Sequence, residues 1–220
     1  MEKFGHWLNN ATTDKYKRIF YVCSYTGCGT LNFVVNLRKQ GHYVRICHDR
    51  TPPEKLNYIF LDGIEPDNVK EIDTTKLFKF NGIEVPEEHI HRICVIYLYR
   101  DPIEAIYSKL TNDKISCILS DDNNPIKLND VLEQKKDLYK LEEFFNNYTT
   151  PNPNRNYQIV CIKYDDMFKK QDKIEKLLNI KPLNLKKREQ NHDKPDIHKL
   201  DKIYRNLSNK IINMPFLKIV

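Results

Sequence analysis

Three short stretches carry residue types that could do chemistry together. Gly27, Cys28, Gly29 and Thr30 follow an apolar run at residues 18–24 and lead into a second apolar run. Glycines there let the backbone come close to an anion, and a helix opening near Thr30 would aim its unpaired N–H groups at it. Arg100 closes another apolar run, RICVIYLY, and Pro102 behind it suits the first position of a helix that carries Ser108. From Pro102 to Ser108 a helix rises about 9 Å, on the order of an extended Arg side chain. Arg100 and Ser108 could therefore reach one phosphate from two sides, the Arg through forked hydrogen bonds. His48, in HYVRICHDRT, ends a further strand-like run and has the chemistry of a general base. Asp49 beside it either orients the imidazole or caps the chain.

Other phosphate-binding chemistries fail on the same residues. A Walker A loop needs a Lys followed by Ser or Thr, and no Lys or Arg occurs from Ile19 to Val35. A dinucleotide fingerprint needs a third glycine where Asn32 stands.

The elements that must position these residues read as follows. Runs at 18–24, 42–47, 92–99 and 157–163 are strand-like, the third being the strongest and the expected centre of the sheet. Weaker strand signals lie at 58–62 and 76–80. Helices are expected over 30–40, 102–110, 128–147, 165–178 and 195–212, with a turn-rich connector at 149–156. Strands alternating with helices predict a three-layer α/β domain spanning residues 1–220, with a mostly parallel sheet flanked by helices. In such sheets ligands bind beyond the carboxyl ends of the strands, where all three stretches fall.

In combination these stretches resemble the PAPS-dependent sulfotransferase family, whose donor is 3′-phosphoadenosine 5′-phosphosulfate. SYTGCGT is similar to the family's 5′-phosphosulfate loop, VIYLYRDPIEAIYS to its 3′-phosphate motif, and VCIKYDDMF to a later strand-ending segment. The resemblance implies a P-loop-like sulfotransferase fold in which Tyr25, Thr26, Gly27, Cys28, Gly29, Thr30, Arg100 and Ser108 bind the donor. It extends this role to the basic loop Lys186, Lys187 and Arg188. The segment around His48 is similar to that of the uronyl 2-O-sulfotransferases of heparan sulfate, which implies His48 as base and a carbohydrate hydroxyl as acceptor. In the small-molecule sulfotransferases a Lys-Thr-His motif precedes the Arg strand. LFKFNG would put Lys79 on its Lys and Asn81 on its His, and an Asn cannot act as base, so Lys79 is expected to assist. The expected products are a sulfate ester and adenosine 3′,5′-bisphosphate (PAP), with no metal.

One departure stands out. The family's donor loop carries a Lys or Arg where this chain has Gly27. Either another cation, Arg45, Arg50 or Lys79, takes over, or the chain is an impaired nucleotide-binding or interaction protein on the same fold.

Composition agrees with a soluble, cytoplasmic protein. Basic and acidic residues are interleaved, 36 against 30, which argues against a nucleic-acid partner despite a net charge of +6. No apolar run suits a leader or a membrane span. Six cysteines show no metal-ligand spacing. Cys23, Cys47, Cys94 and Cys161 lie in strand-like runs and read as buried free thiols, while Cys28 in the loop is a candidate nucleophile. His89 and His91 fall at the start of the central strand, the wrong end for the chemistry.

Overall fold

The structure, a computed structural model, describes residues 18–25, 27–55, 58–60, 82–84, 93–110, 126–187 and 194–220. The elements are β1 (Ile19–Cys23), α1 (Thr30–Lys39), β2 (Tyr43–Cys47), β3 (Tyr58–Phe60), β4 (Gly82–Glu84), β5 (Ile93–Tyr99) and α2 (Pro102–Leu110). They continue as α3 (Leu128–Gln134), α4 (Leu141–Thr149), β6 (Ile159–Lys163), α5 (Tyr164–Met167), α6 (Gln171–Leu178), α7 (Ile197–Asn213) and β7 (Leu217–Ile219).

The five-stranded sheet runs β2-β1-β5-β6-β7, so the most apolar strand does lie at its centre. All pairs are parallel except β6 with β7. Every residue of β1 is buried, as expected of a parallel strand covered on both faces. One face carries an aromatic layer. Tyr97 stacks on Tyr148 at 4.7 Å and on Phe144 at 5.8 Å, and Tyr25 meets it edge-on at 6.2 Å. Phe144, Phe145 and Tyr148, which with Leu141 form the buried stripe of α4 at helical spacing, supply the rings for this layer.

The helix expected over 128–147 is two. Lys135 and Lys140 adopt left-handed conformations, with φ of 54° and 53°. Between them Asp137 accepts a hydrogen bond from the Glu142 N–H at 2.9 Å and another from the Tyr204 hydroxyl at 2.9 Å. A tertiary partner on α7 thus holds the carboxylate that receives the first turn of α4. The helix expected over 165–178 is likewise split. The Lys169 and Lys170 N–H groups both turn back to the Asp166 carbonyl at 3.1 Å, which closes α5 before α6 begins.

Strand β7 has no counterpart among the expected elements. Its three residues pair antiparallel on β6, fixed by Ile159 N–H to the Val220 carbonyl at 2.8 Å. Strands β3 and β4 form a separate antiparallel pair. The first meets the expectation at 58–62, the second was not foreseen, and 76–80 lies outside the described residues. Among the described residues no helix is long and apolar enough to cross a membrane.

Candidate functional site

Strands β1, β2, β5 and β6 are in parallel register, so Ser24, His48, Arg100 and Tyr164 follow their ends on one edge of the sheet. The loop after β1 is closed at its neck by the Ser24 and Thr30 hydroxyls, 2.6 Å apart and buried. Within it Tyr25 turns inward. Its hydroxyl donates to the Arg100 carbonyl and accepts from the Arg100 N–H at 3.2 Å. Burial pushes the Tyr25 phenol well above its usual range, so it stays a donor. The Cys28 thiol is also buried and donates to the Tyr25 carbonyl at 2.9 Å, which makes it a brace of the loop.

Gly27 and Gly29 have φ of 77° and 72°, the left-handed region that glycine tolerates. A Cβ at Gly27 would lie 2.6 Å from the Ala105 carbonyl oxygen on α2. Position 27 thus has no room for a side chain. Gly29 is the residue before α1, whose start carries no side-chain cap and no acidic residue in its first turn. The start of α2 is the opposite case. The Asp101 carboxylate accepts from the Ile103 and Glu104 N–H groups at 2.9 and 3.1 Å, and from the Ser208 hydroxyl at 2.6 Å. An anion arriving at this edge is therefore favoured at α1, not at α2.

Arg100 is 3% exposed. Its guanidinium donates to the Gly27 carbonyl at 3.1 Å, pairs with Glu104 at 3.5 Å and lies 4.3 Å from the Tyr164 ring centre. Lys187 also approaches that ring, at 5.9 Å, and pairs with Asp165 at 3.2 Å. The segment before it is strapped along α1 by amide side chains one turn apart. Gln40 exchanges hydrogen bonds with the Lys181 backbone, Asn36 accepts from the Asn184 N–H, and Asn32 donates to the Lys186 carbonyl. These straps carry Lys186 and Lys187 to the opening turn of α1.

His48 is half-buried, and its Nδ1 lies 2.8 Å from the Ser24 carbonyl oxygen. A carbonyl only accepts, so Nδ1 carries a proton in this contact. Asp49 does not orient the ring. Its carboxylate accepts from the Cys47 thiol at 2.9 Å, and its carbonyl accepts from the Tyr148 hydroxyl at 2.8 Å. Next to this strand end a cavity of ≈ 310 Å³ opens on the sheet face, lined by Tyr21, Arg45, Cys47, Tyr148, Tyr157 and Pro52 among others. Arg45 points there, 5.8 Å from the Tyr21 ring centre.

The structure thus gathers Tyr25, Gly27, Cys28, Gly29, Thr30, Arg100, Lys186, Lys187 and His48 at one sheet edge. The side chains of Tyr25 and Cys28 are taken up by structural hydrogen bonds there. Ser108 is half-buried on α2, two turns beyond Arg100. Thr26, Lys79, Asn81, Arg188, His89 and His91 lie outside the described residues. Tyr164, Glu104 and Lys194, discussed below, escaped the reading of individual motifs. The only signal for Tyr164 was its place at the end of the VCIKYDDMF strand. Among the described residues no group of His, Cys, Asp and Glu could hold a metal ion.

No protein-family profile, no curated protein and no solved structure matches the chain.

Proposed function

We propose that the chain is a sulfotransferase that takes PAPS as donor and an acceptor hydroxyl, expected on a carbohydrate, as substrate. The observation that carries this reading is the His48 to Ser24 contact of 2.8 Å, which holds an imidazole at the edge where a glycine loop leads into a helix start with no acidic residue, suited to a phosphosulfate. Arg100, Lys186 and Lys187 supply cations for the nucleotide's phosphates, and the Tyr164 ring holds the first of them in place.

When bound, PAPS supplies an activated sulfuryl group. His48 Nε2 takes the proton of the acceptor hydroxyl as its oxygen bonds to sulfur. The bond from sulfur to the 5′-phosphate oxygen breaks, and its electron pair leaves with PAP. The backbone N–H groups at α1 face the charge that develops on that oxygen.

A second reading is favoured by one observation. The contact of Gly27 with Ala105 leaves no room for the donor-loop Lys, so a nucleotide-binding protein without turnover fits the same loop. Calorimetric titration with PAP, set against ADP with magnesium, tests the shared site. Micromolar binding of PAP alone supports it, and no binding of PAP overturns it. Transfer of label from PAPS to a glycan panel, lost in His48→Ala, then separates enzyme from binder.

A further inference from the structure

Glu104, inside the stretch from Arg100 to Ser108 but given no role there, and Lys194 complete the surroundings of Arg100. Glu104 stands one turn along α2 from Arg100, with one carboxylate oxygen 3.5 Å from an Arg100 terminal nitrogen. Its other oxygen pairs with the Lys194 ammonium. Tyr107, one turn further, donates to the Pro195 carbonyl, so α2 holds this segment with two side chains. One carboxylate therefore bridges two cations from distant parts of the chain, as a phosphate monoester does when it is bound.

We propose that Glu104 is a specificity-determining residue whose carboxylate competes with the nucleotide's 3′-phosphate for Arg100 and Lys194. This rests on the nucleotide reading above. The three groups differ in freedom. Arg100 is anchored on the Gly27 carbonyl and the Tyr164 ring, and its side chain is 4% exposed. The side chains of Glu104 and Lys194 are 35% and 30% exposed. The Arg stays in place while the other two can rearrange. A phosphate approaching Arg100 from the side of Glu104 and Lys194 must displace the Glu104 carboxylate or lie against it. Repulsion between the two anions weakens binding, and it does so only for a ligand charged at that position. The 5′ end, at the start of α1, is not affected, since no acidic residue occupies that turn.

The test is calorimetric titration of PAP and of 5′-AMP into the wild-type chain and into Glu104→Gln, which keeps the shape and removes the charge. The variant is expected to bind PAP about tenfold more tightly and 5′-AMP within about twofold of wild type. Equal or weaker PAP binding by a folded Glu104→Gln, where wild type binds, overturns the proposal and leaves the nucleotide reading intact. A parallel change for both ligands also overturns it, because a general effect on α2 would move them together. Failure of both proteins to bind PAP overturns the two readings at once. Lys194→Gln is expected to weaken PAP several-fold and to spare 5′-AMP, and unchanged PAP affinity would remove Lys194 from the site.

Discussion

The guanidinium carbon of Arg100 lies 4.3 Å from the centre of the Tyr164 ring, where β5 and β6 end side by side. Tyr99 is in register with Lys163, so the next residue of each strand meets across the edge. The ring holds a nearly buried cation in one place and is itself packed close to Gly29. Tyr164→Phe is expected to leave PAP affinity unchanged, since it keeps the ring. Tyr164→Leu should weaken PAP about three- to thirtyfold, the range of a partly desolvated cation–π contact. Equal affinities for the two variants would show that the ring does not organise Arg100.

His48 offers a separation of binding from chemistry. Asn in its place can still donate to the Ser24 carbonyl but has no basic nitrogen. Turnover by His48→Asn should fall about a hundredfold or more while PAP affinity stays at the wild-type value. Steady-state rates alongside calorimetry would check this, and retained turnover would remove His48 as the base.

Gly27 is placed by sterics as much as by φ. Ala at this position would bring its Cβ to 2.6 Å from the Ala105 carbonyl oxygen in a left-handed conformation. Gly27→Ala is expected to lower the unfolding free energy by about 1–3 kcal/mol, measured in urea. Gly27→Lys should be at least as damaging, so a cation introduced there should not raise activity. A stable and more active Gly27→Lys would contradict the loop geometry.

Several buried acids give the fold a defined alkaline limit. Burial pushes the thiols of Cys94 and Cys161 up to about 12, and the Tyr139 phenol to about 12 with help from Asp130. Burial also raises Tyr25, Tyr97 and Tyr148 well above the ordinary phenol range. These groups ionise more readily in the unfolded chain, at about pH 8.5 for Cys and about 10 for Tyr. Above those values the folded state retains protons that the unfolded state has lost, so stability falls as pH rises. Urea midpoints should be level between about pH 7 and 8 and decline steadily above about pH 9. The Cys161 thiol should also resist alkylation at pH 8 until the chain is unfolded. A midpoint unchanged at pH 10.5 would argue against this burial.

Local rules were enough for part of this protein. The apolar, β-branched run before Arg100 marked the central strand, and Pro102 marked the start of the helix behind it. The glycines of the loop after β1 marked the close backbone approach, because these signals act between neighbouring residues. They failed at 128–147 and 165–178, where the helical pattern is continuous but the chain is turned. Asp137 accepts from the first turn of α4 while held by Tyr204 on α7, a partner that no local period encodes.

The site divides in the same way. Residue types and strand ends pointed to His48, Arg100 and the glycine loop as neighbours, and the structure places the three at one edge of the sheet. The state of His48 depends on the carbonyl of Ser24, which reaches it only because β1 and β2 run parallel in register. The setting of Arg100 depends on Gly27, Glu104, Tyr164 and Lys194, four residues from four separate stretches. Gly27 reads in one dimension as a missing lysine, and only the packing of α2 against the loop turns it into a position where no side chain fits. Hydrogen bonds, ring contacts and steric limits between distant segments belong to the folded chain, and they set the chemistry of this edge of the sheet.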